Sequence, residues 1–424
     1  MKSLIVLLFL LSTFSAVSAQ STVEERMAKL EEKIEELEID RSFDKVKLSG
    51  TFIGYFERIN SRTKDSTSYA VTKDRGDVAS MHLGINIDFA ISENFNFYST
   101  LAMGKLLNND GRKGIEEGSY RSIQGSYGYQ GSDAKFDVAY LNWKMLDNRL
   151  NLAFGRMTTR GGPPLNQLDA LYRSGTYPRF GYNAIFDGAA VVYDFKSLLP
   201  ANMNFKTRLF YTPFYFIDSN DRSKPAEDEE YNKVKRRSDQ VAVLNEWDLN
   251  DSKIARKISL YSMLWYYDNY YDEAYQSSTR PGVEVYKALS HTLYFGLEDI
   301  ANTGLNFSWS YLLVDSKVSG EDHDKSDSSL FNINYTLKNG WVVGLEHIAT
   351  DKNFYLDEWS YLQFNDFYQR SNNNGQHYFF TVPFSHNQVL RFGMYDYRAG
   401  VSEANLYLYT ERTQNYYTSY RVDF

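Results

Sequence analysis

From Val46 to the end of the chain, apolar and polar residues alternate one by one in short runs. Met81, Leu83, Ile85, Ile87, Phe89 and Ile91 alternate with His82, Gly84, Asn86, Asp88 and Ala90. Leu305, Phe307, Trp309, Tyr311 and Leu313 alternate with Asn306, Ser308 and Ser310. Phe331, Ile333, Tyr335 and Leu337 alternate with Asn332, Asn334 and Thr336. Successive side chains of an extended strand point to opposite faces, so each run predicts a strand with one apolar and one polar face. Counting the runs gives about sixteen strands of roughly ten residues. The last stretch, 405–424, reads as one bent strand or as parts of two, which leaves fourteen and eighteen open as counts.

The connections carry a second pattern. Short turns recur at Ser92-Glu93-Asn94, Asp147-Asn148, Asn250-Asp251-Ser252, Asn302-Thr303-Gly304, Lys338-Asn339-Gly340 and Ser385-His386-Asn387. Their residues favour tight turns by their own hydrogen-bonding chemistry. Long polar stretches fall between them, at about 58–78, 107–134, 158–183, 216–237, 268–285, 315–328 and 350–376. Short and long connections alternate, as in a transmembrane β-barrel with tight turns at one end and long loops at the other. A soluble β-sandwich has no reason to keep that order. The chain stops at Phe424, with Val422, Tyr420, Thr418 and Tyr416 at every second position behind it. An all-β transmembrane barrel of about 16 antiparallel strands is therefore expected, with an even count placing both of its ends on one side.

The N-terminus follows other rules. Lys2, the apolar stretch Leu4 to Leu11 and the small-x-small triplet Val17-Ser18-Ala19 predict a cleaved signal peptide over residues 1–19. Over residues 21–41 the apolar period lengthens. Val23, Met27, Leu30, Ile34 and Leu37 form an a/d seam, with Glu and Lys on the other faces. A seam this short is not stable by itself. It reads either as an oligomerising coiled coil on the periplasmic side or as an amphipathic helix packed on the barrel base. The expected organisation is thus a signal peptide at 1–19, a short coiled-coil helix at 20–44 and a barrel at 45–424.

Composition narrows the function. With 35 Tyr, 28 Phe and only 8 Pro, the chain suits strands and aromatic girdles. A mean hydropathy of −0.49 excludes a helical membrane protein but not a barrel, in which only alternate residues face lipid. The absence of cysteine removes any disulfide framework or thiolate site. A formal charge of −8 argues against a nucleic-acid partner. The histidines at 82, 291, 323, 347, 377 and 386 show no metal-ligand spacing, and no nucleophile elbow or phosphate loop is present. The acidic runs at 227–230 and 321–327 read as solvated loops, with divalent-cation binding at the outer surface as the other reading; the run at 321–327 lacks the glycine that an EF-hand loop needs. No catalytic residue, metal or cofactor is expected.

The stretch Val138-Ala139-Tyr140-Leu141-Asn142-Trp143 leads through a turn to Leu152-Ala153-Phe154-Gly155-Arg156. It continues into Gly161-Gly162-Pro163-Pro164 and Phe186-Asp187-Gly188. With the terminal Phe and the helix before the barrel, this resembles the Gram-negative outer-membrane porins. It is most similar to a porin family of uncharacterised function with an N-terminal coiled coil. The resemblance spans nearly the whole mature chain. It implies a pore in the outer membrane, a homotrimer, contact with lipid and lipopolysaccharide, and an inward-folded third loop.

About sixteen strands leave an aqueous channel, so transport depends on what narrows the lumen and on its charge. The third long loop, 158–183, is the candidate constriction, with Arg160, Asp169, Arg173 and Arg179 beside the stiff Gly-Gly-Pro-Pro turn. The resemblance implies that Asp169 and Arg173 point into the pore; an ordinary external loop is the other reading. Strand parity places Lys144, Lys206, Arg208, Arg391 and Tyr395 on the lumen wall, because their neighbours Trp143, Phe205, Leu209, Leu390, Phe392 and Met394 would face lipid. A basic wall opposite an acidic loop would set up a transverse field; cations merely solvated or paired in the lumen are the alternative. The leading expectation is passive diffusion of small hydrophilic solutes and ions. A substrate-specific channel for sugars, carboxylates or peptides, an outer-membrane enzyme, and a structural barrel tied to the cell wall by the helix are the competing readings.

Overall fold

Each alternating run pairs edge to edge with the next along the chain. A computed structural model describes residues Lys29, Lys33, 45–65, 68–106, 135–158, 185–212, 239–268, 285–318, 324–351, 373–403 and 406–424. The chain divides into two units, Met1–Lys47 and Leu48–Phe424. In the first, Lys29 and Lys33 are helical and exposed. The signal peptide and the seam residues Met27, Leu30, Ile34 and Leu37 lie outside the described residues.

The strands are β1 (Val46–Asp65), β2 (Val71–Ala90), β3 (Phe95–Leu106), β4 (Lys135–Met145), β5 (Leu150–Thr158), β6 (Ile185–Asp194), β7 (Met203–Thr212) and β8 (Asp239–Asn250). They continue as β9 (Ala255–Asp268), β10 (Val285–Ile300), β11 (Leu305–Val318), β12 (Asp324–Thr336), β13 (Val342–Thr350), β14 (Asn373–Ser385), β15 (Gln388–Glu403) and β16 (Leu406–Asp423). Neighbours in sequence are neighbours in space, and β1 bonds to β16, so the sheet is a closed barrel of sixteen strands. The final stretch is a single strand. Closure leaves no unpaired edge, the condition for a sheet to survive in lipid.

The ring is sealed at its short-turn end. Gly50 N–H donates to the Phe424 carbonyl at 2.6 Å, and Phe424 N–H donates back at 2.8 Å. From there β1 and β16 stay in register from Thr51↔Asp423 to Asp65↔Tyr409. A Cβ on Gly50 would sit 2.4 Å from the Phe424 ring and 3.0 Å from the Gly84 carbonyl. Gly50→Val is therefore expected to weaken closure by about 1–3 kcal/mol through overpacking. A lower temperature for conversion of the compact gel band to the unfolded band checks this.

Two faces follow from the pairing. Outside lie Phe331, Ile333 and Tyr335 of β12, Leu289 of β10, Val343 of β13 and Phe392 of β15, all exposed apolar side chains. Near the short turns Trp143, Phe195, Phe205, Trp247, Tyr335 and Trp341 form an aromatic rim; Phe195 packs on Tyr193 and Phe205 at centroid distances of 4.6 and 5.1 Å. Inside lie alternate polar and aromatic residues, many of them buried. Among the described residues no helix is long and apolar enough to cross a membrane.

Several strands overrun the expected boundaries. β1 continues to Asp65 and β2 begins at Val71, where a loop over 58–78 was expected; β12 begins at Asp324 inside the expected loop 315–328. The cause is physical. Beyond the apolar band both faces of a strand meet water, so alternation stops marking it while backbone pairing continues, as at Arg62↔Arg412. A short 3-10 turn at Lys196–Leu198 joins β6 to β7, with the Asp194 carboxylate accepting the Lys196 N–H at 2.9 Å.

Candidate functional site

The barrel interior is the candidate site, and it is built by register. On the side of β11 to β16 a chain of side-chain hydrogen bonds crosses the strands. Asn306 Nδ2 donates to Asn334 Oδ1 at 2.8 Å, and Asn334 Nδ2 donates to Asn332 Oδ1 at 2.8 Å. Asn332 Nδ2 donates to Glu346 Oε1 at 2.7 Å. Glu346 Oε2 lies 2.6 Å from His377 Nδ1, and His377 Nε2 lies 2.8 Å from the Tyr417 hydroxyl. The pairings Asn306↔Asn334, Asn332↔Glu346 and Glu346↔His377 put these groups directly opposite one another on the inner face. With Nδ1–H donating to the carboxylate, a neutral ring accepts the Tyr417 hydroxyl at Nε2.

Aromatic rings line the same arc. His377 stacks on Tyr395 at 3.9 Å and an interplanar angle of 16°. Tyr395 stacks on Tyr417 at 5.2 Å, and Tyr417 on Tyr55 at 5.7 Å. The Arg391 guanidinium sits 3.9 Å over the Phe379 ring, a cation–π placement. Two glycines make room for this packing. A Cβ on Gly344 would meet the Phe379 ring at 2.1 Å, and one on Gly393 would meet the Tyr417 ring at 2.3 Å. The rings thus lie flat on the wall over positions that carry no side chain.

On the side of β6 to β10 the interior is ionic. Lys206 Nζ is 3.3 Å from Asp194, and Arg208 holds Glu246 in a two-pronged pair at 2.8 and 3.1 Å. Lys257 is 3.2 Å from Asp248, which also accepts from Ser259 at 2.7 Å and Tyr261 at 3.0 Å. At the rim Arg256 reaches Glu298 at 2.9 Å. Between the two halves, Tyr98 and Tyr140 stack at 5.2 Å, and the same face carries Asn142 and Lys144.

The structure places the sequence-derived wall residues as follows. Lys206 and Arg208 lie on the inner face, each with a carboxylate on an adjacent strand, so this stretch of wall is a lattice of paired charges rather than a basic strip. Arg391 and Tyr395 lie on the inner face and are 1% and 0% exposed. They shape the wall by packing. Lys144 shares the inner face of β4 with Asn142, five strands round the ring from Arg391 on β15. The loop residues Arg160, Asp169, Arg173 and Arg179 lie outside the described residues. Sequence reasoning missed Glu346 and His377 as the hub of the interior, although the alternation around Asn332 and Asn334 marks that face. Among the described residues no group of three or more His, Asp or Glu could hold a metal.

No known protein family matches the chain, and no curated protein sequence does. Similarity is found among solved structures. OprB of Pseudomonas putida superposes with a TM-score of 0.52 at 10% identity, over 91% of this chain and 96% of that one. OmpF of Salmonella typhi in complex with daunomycin gives 0.49 at 10% identity, over 89% and 97%. An anion-selective porin from Comamonas acidovorans gives 0.46 at 10% identity, over 89% and 100%. The likeness to OprB is one of fold.

Proposed function

We propose that this protein is an outer-membrane porin, a passive channel for small hydrophilic solutes and ions with no catalytic step. One observation carries the reading: sixteen strands close into a ring with apolar side chains outside and hydrogen-bonded polar side chains inside. A ring of that size encloses an aqueous passage, and its outer face suits hydrocarbon. The short turns then face the periplasm and the long loops the exterior. The signal peptide at 1–19 serves export, and the third loop, with Arg160, Asp169, Arg173 and Arg179, narrows the lumen.

Assembly into a homotrimer belongs to the same reading. Arg156 and Asp187 pair at 3.3 Å on the outer face of β5 and β6, six to seven residues up from the short turns. Charged groups at such a depth are costly in lipid and fit a surface covered by protein. The seam Met27, Leu30, Ile34 and Leu37 would tie the subunits together on the periplasmic side.

Planar-bilayer recording of the purified protein tests the pore. Stepwise conductance in multiples of three would support a trimeric channel, and an unchanged bilayer would refute it. Lys206→Glu with Arg208→Glu replaces two cations beside Asp194, Glu246 and Asp248. The reversal potential in a salt gradient should shift toward cation selectivity; an unchanged value would remove these residues from the ion path.

A further inference from the structure

Three arginines stand side by side on the outer face of the barrel, above the apolar band. Arg412 of β16 lies directly opposite Arg62 of β1 on one side and Arg398 of β15 on the other. All three are exposed. Parity fixes their direction. Below them the same faces carry Phe56 on β1, Phe392 on β15 and Tyr416 on β16, each exposed and apolar or aromatic. The outward series on β15 runs Leu390, Phe392, Met394, Asp396, Arg398. The row therefore begins where the apolar run ends, at the end of the barrel away from the short turns.

Like charges directly opposite one another destabilise a sheet, and the carboxylates nearby are already engaged. Asp396 takes Arg412 through two bonds of 3.0 and 2.8 Å and Gln414 through a third of 3.1 Å. Asp77 takes Arg58 through two bonds of 2.8 and 3.0 Å. Arg62 and Arg398 have no ion pair among the described residues. Among the described residues Lys64, two residues beyond Arg62 on the same face, meets the ring of Tyr69, at 5.2 Å. The described outer face of β1, β15 and β16 at this level thus has more cations than anions, with guanidinium groups turned away from the lumen.

We propose that this row is a docking site for the phosphate groups of an outer-leaflet lipid headgroup. The chemistry matches: a guanidinium fork binds a phosphate through two parallel hydrogen bonds. The location selects the source. An anion held here sits outside the ring at the upper edge of the apolar band, where acyl chains lie against Phe56, Phe392 and Tyr416 and headgroups lie level with the arginines. A dianionic phosphate between Arg62 and Arg398 also relieves the repulsion across Arg412. The lipid becomes an annular ligand that tethers the seam between the first and last strands. This inference rests on the outer-membrane reading above.

Titration of the full-length protein in detergent micelles with bisphosphorylated lipid A, followed by native mass spectrometry, tests it. Tight binding to wild type is expected, weakened by removal of the lipid phosphates and by added salt. Arg62→Gln with Arg398→Gln should weaken binding about tenfold or more, whereas Lys338→Gln in a short turn should leave it unchanged. Equal binding of the dephosphorylated lipid, an unaffected double variant, or equally tight binding of inorganic phosphate would each overturn the proposal. The comparison of phosphorylated and dephosphorylated lipid needs no variant, and heat-modifiable migration verifies that each variant is folded. Conductance steps are read on the same preparations. Their absence in wild type would strike the porin reading, while their presence without phosphate-dependent binding would strike the lipid site alone.

Discussion

Glu346→Ala is expected to lower the stability of the barrel by about 2–4 kcal/mol, because the buried Asn332 amide and His377 ring lose the acceptor they share. Glu346 is the point where two strings of interior hydrogen bonds meet, accepting from Asn332 at 2.7 Å and pairing with His377 at 2.6 Å. His377 in turn orients Tyr417, which lies over Gly393. Removing the carboxylate leaves buried polar groups short of partners on β12 and β14 and loosens the stack on Tyr395. Glu346→Gln keeps the shape and one acceptor, so it should lose much less. The temperature at which the folded band disappears in a heated gel series measures both. Equal midpoints for wild type and the alanine variant would show that the network contributes nothing to stability.

The second large effect is expected on the opposite face. Ile333 is 45% exposed on β12, between Phe331 and Tyr335, and pairs with Phe307 and Leu345. If this face lies in hydrocarbon, Ile333→Arg places a cation near the middle of the band at a cost of about 2–4 kcal/mol. Ile333→Phe should be nearly neutral. Refolding yield into lipid vesicles from urea reads the difference. An arginine variant that refolds as well as the phenylalanine variant would mean that β12 does not face lipid.

The strands were legible in the sequence because a closed sheet with an apolar outer and a polar inner face imposes a rule on every second residue. Leu390, Phe392 and Met394 mark one side of β15, and so Arg391 and Tyr395 fall on the other. The same rule counted sixteen strands and failed where its cause ends. Ser61 to Asp65 of β1 stand above the apolar band and lost their pattern, though not their pairing with β16. Partnerships across the wall were not legible. Arg208 and Glu246 are 38 residues apart in sequence, and Glu346 and His377 are 31 apart. Which polar residue meets which is set by the register between strands, and register depends on connection lengths that alternation does not encode. His377 shows the limit best. Read against metal-ligand spacing it had no role, while its partners lie on β13 and β16.

The account as a whole depends on one alternation, and β7 exposes it most cleanly. The chain has no cysteine, so single cysteines can be placed one at a time at residues 204 to 209 of the protein in lipid vesicles. A charged, water-soluble thiol reagent should label positions 204, 206 and 208, and a lipid-soluble reagent should label 205, 207 and 209. Uniform labelling by the water-soluble reagent along the whole strand, or the reverse alternation, would contradict a ring that is apolar outside and wet within.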